Sequence, residues 1–319
     1  MNKGKKLLGS LAIPVLTLVV VTILCLSKGI SLFNGRLGWQ TFFRAVLNVS
    51  LVTYALSINL NSGRFDFSIG SVALLSSVAS ATMATKLGLG PVPMLFLSLI
   101  IGFLLGLFSG TVYVLVKLPP IIVSLAIALF YEGVAYVITG GHGVSFVTNS
   151  EILAFANTKT YILLIVLSTA LMILVFDYTR FGYEYKALLS GQKVAVNTGI
   201  KEVPNALWCY SVAGALMGAQ GFVSATNNGT IQMALNFGSI SPMFMGFLPM
   251  FIGGFIAKFS NDKLGYLLGA VSSALISLMY VRLNVSSSTQ QIISACLLVG
   301  FLIYLNNEGK LKRLFKAIR

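Results

Sequence analysis

Ten stretches of this 319-residue chain, each about 20 residues long and nearly free of charge, follow one another from Leu7 to Leu305. A run of that length crosses a hydrocarbon core of about 30 Å as an α-helix. In hydrocarbon every backbone N–H and C=O must bond within the protein, which leaves few alternatives to helices. The runs read as 7–26, 39–60, 69–86, 92–116, 120–139, 160–177, 204–224, 242–257, 264–281 and 289–305. The expected fold is all-α: a polytopic integral membrane protein of about ten transmembrane helices, with residues 1–319 forming a single transmembrane domain. Charged residues make up 9% of the chain, against about 25% in soluble domains, and agree with that class.

The basic start, with Lys3, Lys5 and Lys6 ahead of Leu7–Leu26, has the outline of a signal peptide. Its apolar run is longer than the 7–15 residues of a leader, and no A-x-A site follows. Leu24 stands before Cys25 where a lipoprotein site needs a small residue, so a first transmembrane helix is expected. The net charge of +14 does not point to nucleic acid, because the cations sit at the ends of apolar runs and form no basic stripe interleaved with aromatics. With the N-terminus inside, sixteen of the 22 Lys and Arg fall on the cytoplasmic side and five outside, with Arg44 left in the second span. The expected orientation is N-in/C-in, with the polar stretch 179–202 in the cytoplasm. Three cysteines without a CxxC spacing, and a single histidine, His142, give no reason to expect a disulfide framework or a metal site.

Local interruptions add detail. Pro119-Pro120 opens the fifth span, where a missing N–H matters least. Pro249 and Gly253-Gly254 predict a discontinuous eighth span. The loops at 140–159 and 225–241, rich in Gly, Asn, Ser and Thr, each have room for a short re-entrant or interfacial helix. Small residues four apart (Gly102, Gly106 and Gly110; Gly214 and Gly218; Gly265 and Gly269) predict close helix approach, within the chain or across a subunit interface.

Intramembrane charges are functional candidates by default. Glu132 in the fifth span is expected either to pair with Arg44 or to line a wet cavity. Asp66, two residues before Ser68, reads as a cap for the third span. Asn48, Ser50, Thr53, Ser57 and Asn59 make the second span polar enough to face the bundle interior or a solute pathway, so Asn48, Thr53, Asn59 and Glu132 are the pathway candidates. There is no G-x-x-x-x-G-K-[ST], GxSxG or metal-ligand cluster. An enzyme is not expected, and any ATP hydrolysis that drives transport belongs to a separate chain.

The stretch TRFGYEYKALLSGQKVAVNTGIKE at 179–202 is the longest polar helical candidate. It sets Arg180, Lys186, Lys193 and Lys201 against Glu184 and Glu202, and Gly191 divides it. Tyr185, Leu188 and Leu189 ringed by charges form a peg for a partner's groove. A helix lying on anionic lipid is the plainer alternative.

Three blocks carry a likeness to a known family. They are NSGRFDFSIGSVALLSS at 61–77, FYEGVAYVITGG at 130–141 and the 179–202 stretch. Together they resemble the permease subunits of bacterial ABC importers of the ribose and branched-chain amino acid type, a carbohydrate uptake permease family. The first block matches the family's GGIDLSVGS at Asp66, Ser68, Gly70 and Ser71, read as a structural motif. The third matches its cytoplasmic segment at Thr179, Gly182, Ala187, Gly191, Ala195, Gly199 and Ile200. The resemblance implies that 179–202, including Glu184, Lys186 and Lys193, couples to an ABC ATPase. It also implies an extracytoplasmic solute-binding protein, a second permease chain as homo- or heterodimer, a sugar or similar small polar solute, and a multi-pass place in the bacterial plasma membrane. ATP is then used by the partner, and this chain binds no cofactor. Arg64, Gln192 and Glu132 depart from the family pattern at positions that usually hold glycine, asparagine and arginine. The competing readings are an ion-coupled secondary transporter using Glu132, and a non-transporting membrane assembly subunit.

Overall fold

The computed structural model describes residues 3–146 and 149–317, with side chains over 6–146 and 149–307. Val147 and Thr148, within the 140–159 loop, and Arg319, counted among the cytoplasmic charges, lie outside the described residues. The helices run α1 Lys3–Leu26, α2 Gly35–Asn61, α3 Ser68–Leu87, α4 Pro91–Val116, α5 Pro120–Thr139, α6 Ser150–Ala154, α7 Thr158–Tyr178, α8 Arg180–Ser190, α9 Gln192–Asn197, α10 Glu202–Asn228, α11 Phe247–Ile256, α12 Asp262–Arg282 and α13 Ser287–Ala317. A 3-10 helix, Gly238–Gly246, leads into α11. Two short strands, β1 Val144–Ser145 and β2 Thr230–Ile231, pair antiparallel. Ten helical segments among the described residues are long and apolar enough to cross a membrane, one for each expected run.

The eighth span is discontinuous, but the break lies at Gly246–Phe247 and not at the expected Pro249 or Gly253-Gly254. Pro249 is the third residue of α11, in the turn whose N–H groups have no intrahelical acceptor anyway, so proline there breaks nothing. The loop at 140–159 holds β1 and the short α6, and the 3-10 helix begins inside the loop expected at 225–241.

Packing divides the chain into two compact units, residues 46–246 and residues 1–45 with 247–319. At the centre of the first lies α3, against which α4, α5, α10 and the 3-10 helix pack. Its buried surface mixes small residues (Ser68, Gly70, Ser71, Ala73, Ser76, Ser77, Ser80, Ala81 and Ala84) with the apolar Ile69, Val72, Leu75 and Val78. Most of these hydroxyls are satisfied within α3, while Ser68 also reaches Ser109 of α4 at 3.4 Å. Ser71, Ser76, Ser77 and Ser80 donate to the carbonyl three residues back in α3 itself, which satisfies the O–H and keeps the side chain short.

The tightest pair in this unit is α4 with α10. A Cβ added at Gly214 falls 2.2 Å from the Gly102 carbonyl oxygen, one at Gly106 falls 2.2 Å from that of Tyr210, and one at Gly218 falls 2.2 Å from that of Ser98. Ser98 donates across the interface to Gly218 O at 2.6 Å. The opposite face of α4 exposes Phe96, Ile100, Leu104 and Phe108 at four-residue spacing, an apolar row suited to lipid. Of the two readings of the glycine rows, packing within the chain holds for Gly102, Gly106, Gly110, Gly214 and Gly218. In the second unit α11 and α12 meet the same way, with a Cβ at Gly269 falling 2.2 Å from Pro249 O and one at Gly265 falling 2.6 Å from Gly253 O.

Because the obstacles are backbone atoms, a large side chain on this seam has nowhere to go. Gly214→Leu should destabilise the protein by at least about 3 kcal/mol, the upper part of the overpacking range. The expected result is a variant that inserts but is lost to aggregation on detergent size-exclusion chromatography. A monodisperse variant with an unchanged melting temperature would refute the seam.

Candidate functional site

The 179–202 stretch is two short helices set at a corner, and each element of that corner has an identifiable cause. Thr179 is extended (φ −107°, ψ 159°) and ends α7 while capping α8. Its Oγ1 donates to Val175 O at 2.5 Å and accepts from Gly182 N at 3.3 Å, satisfying one group at each helix end. Gly182 lets α8 fold back on α7: a Cβ there falls 2.3 Å from the Phe176 carbonyl oxygen and 2.5 Å from Phe176 Cα. Beyond the corner, Tyr185 is buried, packs edge-on to Phe176 with centroids 5.1 Å apart, and donates its hydroxyl to Ile58 O at 3.0 Å near the end of α2. Lys186 Nζ pairs with Asp177 Oδ1 at 2.5 Å, and Asn205 Nδ2 of α10 donates to Phe181 O at 3.3 Å. On the surface Arg180 and Glu184 form an i,i+4 pair at 2.7 Å.

The expected site residues therefore separate into anchors and surface. Thr179, Gly182, Lys186 and the buried Ala195 hold the segment down, while Ala187 is half-buried. Glu184 is occupied by Arg180, and Lys193 is exposed with no ion pair among the described residues. Gly191, between α8 and α9, has φ 175°, extended backbone open to any residue, and a Cβ there meets nothing closer than 3.9 Å. Gly199 has φ +96°, which does favour glycine, and is followed by half-buried Ile200.

One expectation is corrected. Tyr185 is not part of an outward peg but the main anchor, because its ring fills the corner against Phe176. The apolar side chains left outside are Tyr183, Leu189, Val194 and Val196. Asp177 and Asn205 were absent from the expected set. The four-residue step from Phe181 to Tyr185 was the available sequence signal for an aromatic inner face.

The 61–77 block is a structural joint. Asp66 Oδ1 accepts from Ser68 N at 2.8 Å and Ser68 Oγ at 2.6 Å, while Oδ2 accepts from Asn59 Nδ2 at 3.2 Å. That supplies the start of α3 with a cap from one position further out than usual. Burial pushes the Asp66 carboxyl up to about 6, against the opposing effect of the Ser68 and Asn59 bonds. Gly70 lets the 3-10 helix approach, since a Cβ there falls 2.1 Å from Ser239 O. Ser71 bonds back to Ser68 O.

Among the pathway candidates, Thr53 is buried and donates to Val49 O at 2.7 Å, and Asn59 is bonded to Asp66. Asn48 is half-buried and accepts from Gln220 Nε2 of α10 at 3.5 Å, a polar cross-link between two spans. Glu132 is buried, with a backbone-binding role: Phe237 N donates to Oε2 at 3.0 Å, and Ser239 N and Oγ donate to Oε1 at 2.9 and 2.5 Å. Those three bonds hold the Glu132 carboxyl. They secure a turn in which Asn236 and Phe237 both lie in the left-handed region (φ 56° and 66°), a genuine outlier for phenylalanine.

The comparisons with known proteins agree with this architecture. The family model described as "Branched-chain amino acid transport system / permease component" matches residues 40–305. The chain is 24% identical over 289 residues to the autoinducer 2 import system permease protein LsrC of Yersinia enterocolitica, covering 88% of this chain and 77% of that one. It is 22% identical over 287 residues to the protein of that name from Yersinia pseudotuberculosis serotype IB, covering 86% and 78%. No solved structure matches. Ten spans and these relatives make the chain a multi-pass inner-membrane protein. With the model matching from the second span to the tenth, the chain belongs to the family of branched-chain amino acid transport system permease components.

Proposed function

We propose that this chain is the membrane-spanning subunit of an ATP-driven importer for a sugar or similar small polar solute, and that α8–α9 dock in a groove of a separate ATPase. The observation that carries this reading is the two-sided character of the segment. Its inner side is tied to α2, α7 and α10 by Tyr185, Lys186 and Asn205, and its outer side presents Tyr183, Leu189, Val194 and Val196 beside Lys193 and Lys201. A rigidly held element with an exposed apolar face among charges suits a handle that transmits force to a bundle. On this reading both termini and α8–α9 face the cytoplasm, a second permease chain completes the pathway, and an extracytoplasmic binding protein delivers the solute. The relatives are named for autoinducer 2 import, which fits a small polar cargo.

Motion passes from the ATPase to α8, and from α8 through the Tyr185–Ile58 bond into α2, the span with the polar residues Asn48, Thr53 and Asn59. Alternating access then follows as a rocking of the bundle. Leu189→Asp with Val194→Asp should weaken ATPase binding by about 30-fold, the effect of losing an interface hot spot of about 2 kcal/mol. Insertion and melting temperature should not change, because both side chains are exposed. Unchanged co-purification of the ATPase and normal uptake would eliminate the docking assignment.

A further inference from the structure

Arg64 stands apart from the anchors of α8. It lies in the loop between α2 and α3 and is 6% exposed. Its Nη2 is 3.5 Å from Glu202 Oε1, longer than a good charge-assisted hydrogen bond, and its Nη1 is buried without a hydrogen-bond partner. A buried guanidinium whose one carboxylate contact is this long, with only the Cys209 thiol facing it besides, is unfavourably short of acceptors.

Beside Arg64 is a cavity of about 230 Å³. Its polar walls are Asn61, Ser62, Gln192 and Asn205, and Leu188 and Leu189 of α8 close one side. None of the residues lining it is acidic. The surrounding surface has the same sign. Arg180 and Lys186 are neutralised by Glu184 and Asp177, whereas Lys193 and Lys201 make no ion pair among the described residues. Whatever covers Leu189 also covers the cavity that Leu189 helps to line.

We propose that this cavity is a socket for a carboxylate side chain of the partner that docks on α8–α9, held by Arg64 in place of its loose contact with Glu202. The proposal rests on the docking reading of α8–α9 and adds an electrostatic key to the apolar contact. Arginine suits the task because its planar fork can bind both oxygens of a carboxylate at once.

The test uses the full chain reconstituted with the ATPase of its own importer. Arg64→Lys keeps the charge and supplies an amine, so a zero-length carbodiimide cross-link mapped by mass spectrometry reports the nearest carboxylate. The expected result is a link from position 64 to an Asp or Glu of the ATPase, formed only in the complex. A link confined to Glu202, or no inter-chain link in a complex that does form, overturns the proposal. Arg64→Gln should weaken ATPase binding by about 30-fold or more, as loss of a buried charge pair does, and Glu202→Gln should leave it unchanged or tighter. Equal losses in both variants mean an internal structural pair and refute the socket. Inorganic phosphate provides the remaining arm: if it stabilises the wild-type chain alone, but not Arg64→Gln, the cavity is a free-oxyanion site and the partner assignment falls. If the wild-type chain does not retain the ATPase, the docking reading fails and the socket with it. If the wild type and both Arg64 variants retain it equally, only the socket fails.

Discussion

Gly182→Ala should reduce ATP-driven uptake by more than an order of magnitude while the protein still inserts and binds detergent normally. Alanine is the better helix former by about 1 kcal/mol, so on propensity alone the change would strengthen α8. Sterics reverse the sign. The new Cβ would lie 2.3, 2.4 and 2.5 Å from the carbonyl oxygen, carbonyl carbon and Cα of Phe176, all backbone atoms at the end of α7. Those atoms cannot rotate aside, so α8 has to lift from the corner. Lifting stretches the Thr179 cap to Gly182 N, the Tyr185 hydroxyl bond to Ile58 O and the Lys186–Asp177 pair together. Cap and hydroxyl bond are worth about 1 kcal/mol each, enough to unseat a short helix but not a ten-span bundle. Gly191→Ala is the matched control: the same chemical change, nine residues on, at extended backbone with 3.9 Å of clearance, should keep uptake within about twofold. Uptake by proteoliposomes decides the matter. Wild-type transport by Gly182→Ala would mean the corner gives easily, and force could not be passed through it.

The contrast between those two glycines also marks how far the sequence could be read. The spans were legible because hydrocarbon requires internally bonded helices, and a run of about 20 apolar residues has few other uses. Rows of glycine four apart were legible as contact faces, though only coordinates assign Gly102 and Gly106 to Gly214 and Gly218. The polar stretch at 179–202 was legible as a surface segment from its charges, and Arg180–Glu184 from their i,i+4 spacing. Its inner and outer sides were not. Lys186 meets Asp177 nine residues away, a separation no single helix brings together, and only the extended turn at Thr179 does so. Tyr185 looked like an outward peg for the same reason: which face of an amphipathic helix turns inward depends on the corner that precedes it. Pro249 misled because the break was placed at the proline, whereas a proline three residues into a helix is where it does no harm. Arg64 looked like a mere departure from the family pattern, since nothing in the sequence shows that the position is buried or that a cavity adjoins it.

Glu132→Gln should loosen the segment that enters the 3-10 helix, and this outcome separates the clamp from an ion-coupling role for the same carboxyl. Both of its oxygens are acceptors, for Phe237 N on one side and for Ser239 N and Oγ on the other. A carboxamide offers one acceptor and one NH₂, so one of those backbone N–H groups would face another donor in a buried place, at about 1–3 kcal/mol. The turn it secures is already strained, because Asn236 and Phe237 in the left-handed region cost about 1–3 kcal/mol each. Without full clamping the turn has reason to relax. Hydrogen exchange at the Phe237 and Ser239 amides should therefore quicken by roughly 10- to 100-fold, with the α4–α10 seam unaffected. Ser239→Ala removes only the hydroxyl donor and should move the same amides in the same direction by less. Because both changes act on one cluster, the double variant should exceed Glu132→Gln by less than the effect of Ser239→Ala alone. A proton or cation site makes a different demand: uptake would lose its pH dependence in Glu132→Gln while the 237–239 amides exchanged as in the wild type. That pattern would rule out the clamp, because a carboxyl that no longer mattered to the turn could not have been holding it.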